Sequence, residues 1–325
     1  MKHYITIIIA SALLIPSQPL LAQKSDLGIG IGPTFFFGDL GGANAIGRPL
    51  FFDLERSLIR PVFMGTYHYQ ITKKFAFRLQ GAYTQVAGDD KLIQPRAVFS
   101  PEWYRWYRNL NFHSQIWEIS AQAELYLVHY EPGSMNWRWG PYIFVGVGMF
   151  HFNPKAEYNG TNVDLRPLHT EGEGFPGSGV KEYSLYQPCI PIGAGIRYNV
   201  TSDFTIGFEY GDRKCFTDYI DDVSSKYVSQ ADFNSYFAND PSKAALAYDI
   251  SRRSDELDPD GVYGYVTAPG EQRGQTNNKD HFSFMQFSFN YVMGNTHVRP
   301  KNELKCMKWG GSAGSNPGAK KYHKY

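Results

Sequence analysis

The sequence predicts an all-β fold: a transmembrane antiparallel β-barrel, most simply of eight strands, with long outer loops. Three observations predict it. Apolar and polar residues alternate through about eight separate runs, each run is long enough to cross a bilayer at a tilt, and the connections alternate short and long. Composition agrees, since 23 Tyr, 23 Phe, 6 Trp and 32 Gly occur without sustained helical periodicity. Only the first segment has uninterrupted apolar length, which excludes a polytopic helical membrane protein. The 32 basic residues are balanced by 31 acidic ones, so no cationic excess draws the chain onto nucleic acid.

The elements follow in chain order. Met1-Lys2-His3, the apolar stretch 5–15 and Leu20-Leu21-Ala22 before polar Gln23 have the layout of a secretory signal peptide, with cleavage expected after Ala22. Three parts result: signal peptide 1–22, barrel 23–294 and tail 295–325. The first run, 27–37, contains Gly28-x-Gly30-x-Gly32. Pro33 and Phe35-Phe36-Phe37 stand where a phosphate-capping helix would begin, so these glycines belong to a crowded strand face and not to a dinucleotide loop. Run 62–71 alternates less cleanly. Run 75–83 sets Phe75, Phe77, Leu79 and Tyr83 against Arg78 and Gln80. The clearest, 115–127, puts Trp117, Ile119, Ala121, Ala123, Leu125 and Leu127 on one face, with Glu118, Ser120, Gln122 and Glu124 on the other. Runs 142–152, 186–198, 204–210 and 285–291 complete the set.

Sandwich strands also alternate, but they are shorter, and here the bulky face is flanked by Tyr and Trp as in membrane girdles. The short connections are 72–74, 131–138 and 199–203; the long ones are 38–60, 87–113, 153–181 and 217–280. An even strand number then leaves both termini on the short-turn, periplasmic side of an outer-membrane barrel. A further hairpin around 262–266 would raise the count to ten.

The polar face collects Arg78, Arg197 and Arg213 with Glu118, Glu124 and Glu209. In so narrow a barrel these charges pair to form a polar plug; a proton path or narrow pore is the alternative. Asp212, Asp218, Asp221 and Asp222 lack the spacing of a calcium loop and read as a solvated acidic loop. No HExxH pair occurs, and no catalytic residue, cofactor or metal is expected, which leaves the lipid-modifying barrel enzyme as the weakest reading. Trp103-Tyr104-Arg105-Trp106-Tyr107-Arg108 fits either a platform that stacks sugars or grips a protein, or an anchor at the headgroup interface.

Folding the runs 186–198 and 204–210 about Thr201 sets Cys189 opposite Arg213 and diagonal to Cys215. A small register change would permit a disulfide between Cys189 and Cys215; otherwise they are buried thiols without a role. Cys306 lies in the tail, as a free or intermolecular thiol. That tail carries seven basic residues against Glu303 and suits either an adaptor to a periplasmic partner or a solubilising end.

Several segments together resemble the PorG-like outer-membrane proteins of Bacteroidota. They are Gly41-Gly42-Ala43-Asn44-Ala45-Ile46-Gly47, Trp117-Glu118-Ile119-Ser120, Tyr142-Ile143-Phe144-Val145-Gly146-Val147-Gly148, His151-Phe152-Asn153-Pro154-Lys155-Ala156, Leu168-His169-Thr170-Glu171-Gly172-Glu173-Gly174 and, above all, Arg213-Lys214-Cys215-Phe216-Thr217-Asp218-Tyr219-Ile220-Asp221-Asp222-Val223-Ser224. The resemblance covers nearly the whole mature chain. It implies a non-enzymatic component of the type IX secretion system, associated with gliding motility in some species, that ties the outer membrane to a periplasmic ring of a PorK-like lipoprotein and a PorN-like protein. Under that role the tail makes the ring contact, and Cys306 crosslinks to a ring lipoprotein. The alternative is a generic small outer-membrane barrel, structural or weakly pore-forming.

Overall fold

The computed structural model describes residues 25–40, 58–276 and 279–293. The expected signal peptide, the Gly41 to Gly47 segment, the tail and Cys306 lie outside them. Eight antiparallel strands close on themselves: β1 (Ser25–Phe37), β2 (Arg60–Gln70), β3 (Phe75–Asp89), β4 (Asn111–Tyr126), β5 (Trp139–His151), β8 (Tyr186–Asn199), β9 (Phe204–Cys215) and β10 (His281–Met293). Each pairs with its sequence neighbour in the ring, and β10 pairs back with β1, from Ser25↔Met293 to Phe37↔His281. The eight-stranded barrel is therefore observed. The extra hairpin is not at 262–266, where Gly264–Thr267 forms a 3-10 turn; it is β6 (Pro154–Tyr158) with β7 (Thr161–Asp164), a short ladder continuing β4 above the rim. Gly160 at φ 74° lets Asn159-Gly160 turn that hairpin.

Alternation decides which face meets lipid. Ile29, Ile119 and Val147 are 71%, 70% and 69% exposed, while alternate residues such as Glu118, Gln122 and Glu124 are buried. A soluble protein does not leave so continuous an apolar band in water, and a barrel in a bilayer must. Outward residues of β5 run from Trp139 to Met149, which at ~3.4 Å per residue and a tilt of ~40° gives a band about 25 Å tall. Aromatic pairs mark its edges, with Tyr83 and Trp117 4.4 Å apart at one end and Trp139 and Tyr198 4.5 Å apart at the other.

The inner wall is crowded. A Cβ at Gly32 would overlap the Met285 carbonyl, which is the packing reason for the glycine series in β1. At the short-turn end, Asn199 organises the 127–138 turn: its amide donates to the carbonyls of Glu131, Ser134 and Trp137 at 2.9, 3.0 and 3.1 Å and accepts from Tyr130 Oη and Gly133 N.

At the other end the long loops fold into a cap. Helix α1 (Pro101–Arg108) starts at Ser100, whose Oγ accepts from Trp103 N, and stops at Asn109 in the left-handed region. Helices α2 (Gln230–Tyr236) and α3 (Pro241–Ser251) are capped by Ser229 and Asp240. One apolar core joins cap to barrel, running from Phe112, Phe150, Phe282 and Phe284 through Leu40 and Leu168 to Ile220 and Phe233.

Candidate functional site

Two clusters of buried charge stand out, one in the lumen and one beneath the cap. All six lumen charges singled out in the sequence lie inside the barrel, and three of them form a chain across it. Arg78 Nη1 is 2.5 Å from Glu209 Oε2, and its Nε lies 3.3 Å from Glu124 Oε1. Gln122 Oε1 also accepts from Arg78, and Tyr142 Oη and Gln286 Nε2 each donate to Glu209 at 2.5 Å. Arg213 pairs with Glu118 at 3.1 Å, donates to the Gly211 carbonyl and lies 3.8 Å over the Phe284 ring.

Arg197 takes a partner the sequence reasoning missed, Asp26, at 2.6 Å. His68 was missed as well. Its Nδ1 is 2.9 Å from Asp26 Oδ1 and its Nε2 3.3 Å from Glu124 Oε1, so a protonated ring balances four buried carboxylates against three guanidiniums. Asp26 lies just before the run 27–37 and His68 in the run 62–71, which alternates less cleanly, and so both were hidden. Every member is at most 4% exposed, and the arrangement is a filled plug.

The thiols correct the expected register. Cys189 lies directly opposite Cys215, and Arg213 faces Pro191, two residues from the pairing drawn about Thr201. Val200 and Thr201 both donate to the Phe204 carbonyl, so the turn centres on Ser202 instead of Thr201 and the ladder shifts by two residues. Both cysteines are buried free thiols in this structure.

The cap cluster corrects a second expectation, that the aspartates of the fourth long loop are solvated. Asp218, Asp221 and Asp222 are at most 2% exposed: Asp221 and Asp222 cap groups of other loops, and Asp218 accepts from Ser224 Oγ within its own loop. Asp221 accepts from Leu40 N at 2.8 Å, and Asp222, itself at φ 63°, accepts from Thr170 Oγ1 and Tyr183 Oη, both at 2.5 Å. Glu171 accepts from Ser224 N at 2.9 Å, from Ser225 N and Oγ at 2.7 and 2.6 Å, and from Arg273 Nη1 at 2.9 Å. Arg273 also donates to the Asp222 carbonyl, while Arg108 pairs with Asp90 and donates to the carbonyls of Asp39 and Arg273. The Leu168 to Gly174 and Arg213 to Ser224 segments thus meet in one lock that ties the long loops together. Among the described residues no group of three or more His, Cys, Asp and Glu side chains is placed to hold a metal ion.

The 103–108 segment is neither a stacking platform nor a membrane anchor as a whole. Trp103 and Tyr107 are buried and stacked at 4.9 Å, and Tyr107 Oη donates to Asp258. Only Tyr104 of this helix's aromatic rings is nearly half exposed, and it faces a cleft of ≈ 1260 Å³ between the end of β1, α1 and the 265–281 stretch.

Burial, with the neighbouring Asp222 and Glu171 carboxylates, pushes Glu173 up to about 8; burial likewise pushes Asp222 and Asp218 up to about 6. Their unfolded values lie near ~4, so the folded cap holds protons that the unfolded chain releases. The cap is therefore most stable below pH ~4 with respect to these groups and loses stability as pH rises through about 6 and then about 8. Limited proteolysis between pH 5.5 and 8.5 should cut within 216–280 faster at the alkaline end; faster cutting at the acidic end would show the sign to be wrong.

The profile of a family described as a domain of unknown function, DUF6089, matches residues 2–240, which take in β1 to β9 and both segments of the lock. The chain belongs to the DUF6089 family. No curated protein matches it. Among solved structures, this DUF6089 protein is similar to Ail, the attachment invasion locus protein of Yersinia pestis, in complex with the heparin analogue sucrose octasulfate (10% identity, TM-score 0.37, 84% of this chain and 99% of that one). It is also similar to OprG from Pseudomonas aeruginosa (11%, TM-score 0.34, 83% and 96%) and to Neisserial surface protein A (8%, TM-score 0.32, 83% and 97%). The closure of the DUF6089 barrel itself is given by its own strand pairing.

Proposed function

We propose that this protein is a non-enzymatic, non-conducting outer-membrane component of the type IX secretion machinery, in its secretion or gliding-associated form. It anchors a periplasmic ring of a PorK-like lipoprotein and a PorN-like protein to the outer membrane. The observation that carries the reading is the double seal: a lumen filled by paired charges beneath a cap tied by its own buried carboxylates. A barrel sealed twice passes nothing, so its use lies in what its two faces hold. The meeting of the Leu168 to Gly174 and Arg213 to Ser224 segments in that lock lends weight to the PorG-like resemblance, since both belong to it.

The orientation that fits puts the short turns, with the start of β1 and the end of β10, in the periplasm and the cap outside. In-cell crosslinking followed by purification from outer membranes, with and without reductant, tests the role. Ring lipoproteins identified by mass spectrometry are the expected partners, and Cys306→Ser should remove any reductant-sensitive one. A lone barrel under both conditions sinks the secretion role and leaves a structural barrel. Single-channel conductance of the purified protein would overturn the sealed reading, and altered lipid A on deletion the non-enzymatic one.

A further inference from the structure

Cys189 and Cys215 face each other across the β8–β9 ladder, and their rung is of the closer kind. Val200 N donates to the Phe204 carbonyl at 2.9 Å, which makes Val200 and Phe204 a hydrogen-bonded rung. From there the register runs without a bulge through Asn199↔Thr205 to Cys189↔Cys215. Rungs alternate in an antiparallel pair, so Cys189, an odd-numbered residue like Asn199, stands in a non-hydrogen-bonded rung with its Cα about 4.5 Å from its partner's. That spacing lies inside the ~4.4–6.8 Å that a disulfide spans.

Both side chains are on the inner face. Cys189 is 2% and Cys215 7% exposed, and both belong to the apolar core that joins barrel to cap. As free thiols they turn to other neighbours. Cys215 Sγ donates to the Arg213 carbonyl at 3.3 Å, and Cys189 Sγ leans toward Gly148 of β5, where an added Cβ would lie 2.9 Å from it. Closing a bond between them takes rotation about the two Cα–Cβ bonds, since the backbone spacing is already right. The place matters for the cap. Cys215 is the last residue of β9, and the lock carboxylates Asp218, Asp221 and Asp222 follow directly in the chain.

We propose that Cys189 and Cys215 are joined by a disulfide in the exported protein, made by exchange with an extracytoplasmic protein disulfide while the β8–β9 hairpin is still open to solvent. The thiolate of one cysteine attacks the oxidant's disulfide and releases one of its sulfurs; the thiolate of the other then attacks the mixed disulfide and releases the second. The chain gives up two electrons and two protons, and the oxidant leaves as a dithiol carrying both. Once the barrel closes, burial shields the bond from reductant. The staple ties the root of the 216–280 loop to the neighbouring strand, so the lock is held at its base by a covalent bond as well as by hydrogen bonds. The inference rests on the outer-membrane placement, which passes the unfolded chain through an oxidising compartment, and not on the secretion role.

Cells expressing the full-length protein are quenched in acid, and the unfolded protein is alkylated with N-ethylmaleimide before and after reduction and read by mass spectrometry after digestion. A linked peptide pair holding Cys189 and Cys215, alkylated at those residues only after reduction, is the expected result. Both residues alkylated before reduction, or either one bonded to Cys306, overturns the proposal. Wild-type protein refolded in detergent with and without reductant then isolates the bond from the side chains. The reduced barrel should lose its faster gel mobility about 5–10 °C lower and be cut faster within 216–280. Equal melting and equal cutting of the two forms overturns the staple.

Discussion

Arg78→Ala is expected to destabilise the barrel by about 3–5 kcal/mol, the range for breaking a buried ion pair from one side. The guanidinium is 2% exposed, and its loss strands Glu209 and Glu124 inside a membrane-spanning wall where water does not reach them. Gln122 and Tyr142 lose the charge around which their hydrogen bonds are organised. The measurement is the temperature at which the folded barrel loses its faster gel mobility. Replacing both partners, Arg78→Met with Glu209→Gln, should recover much of the loss, because two neutral side chains need no compensation. If the single and double variants melt alike, the pair is not what holds the lumen.

Glu171→Ala should act just as strongly, but on the cap alone. One carboxylate there serves two backbone amides, a serine hydroxyl and the buried Arg273, and alanine leaves all four donors without it. The local cost is about 3–5 kcal/mol, equivalent to roughly a hundredfold or greater rise in the open population. Protease sensitivity within 216–280 should rise by that order while the barrel keeps its gel mobility. Glu171→Gln, which keeps an acceptor but not the charge, should fall between. Loss of the barrel together with the cap would mean that the two do not open separately.

The barrel was legible because its cause is local. Trp117, Ile119 and Leu125 against Glu118, Gln122 and Glu124 state a two-faced strand without reference to anything distant, and short and long connections give the two ends. What stayed hidden depends on contacts made far along the chain. Asp221 and Asp222 look like part of a solvated acidic loop until Leu40, Thr170 and Tyr183 supply the donors that bury them. The alternation of Trp103 and Tyr107 on a helix turn was masked by reading the run as exposed loop, although Ser100-Pro101 before it is a helix start. The pairing of Cys189 with Cys215 turned on how tightly residues 200–204 bend, which composition alone does not fix.

The lumen pairs also constrain how the protein is made. Asp26 meets Arg197 across 171 residues, Arg78 meets Glu209 across 131 and Arg213 meets Glu118 across 95, so each bond joins an early strand to a late one. The β1–β2 hairpin brings its own Asp26–His68 pair and the β3–β4 hairpin its Arg78–Glu124 contact, but Glu118, Arg197 and Arg213 must wait for distant strands. The arginines of β8 and β9 find their carboxylates only when the eight strands curl together, and an early strand inserted alone would carry a bare charge into hydrocarbon. Assembly of this barrel is therefore concerted: ring closure and charge neutralisation are one event, and a nascent chain must be sheltered until its last strand has arrived.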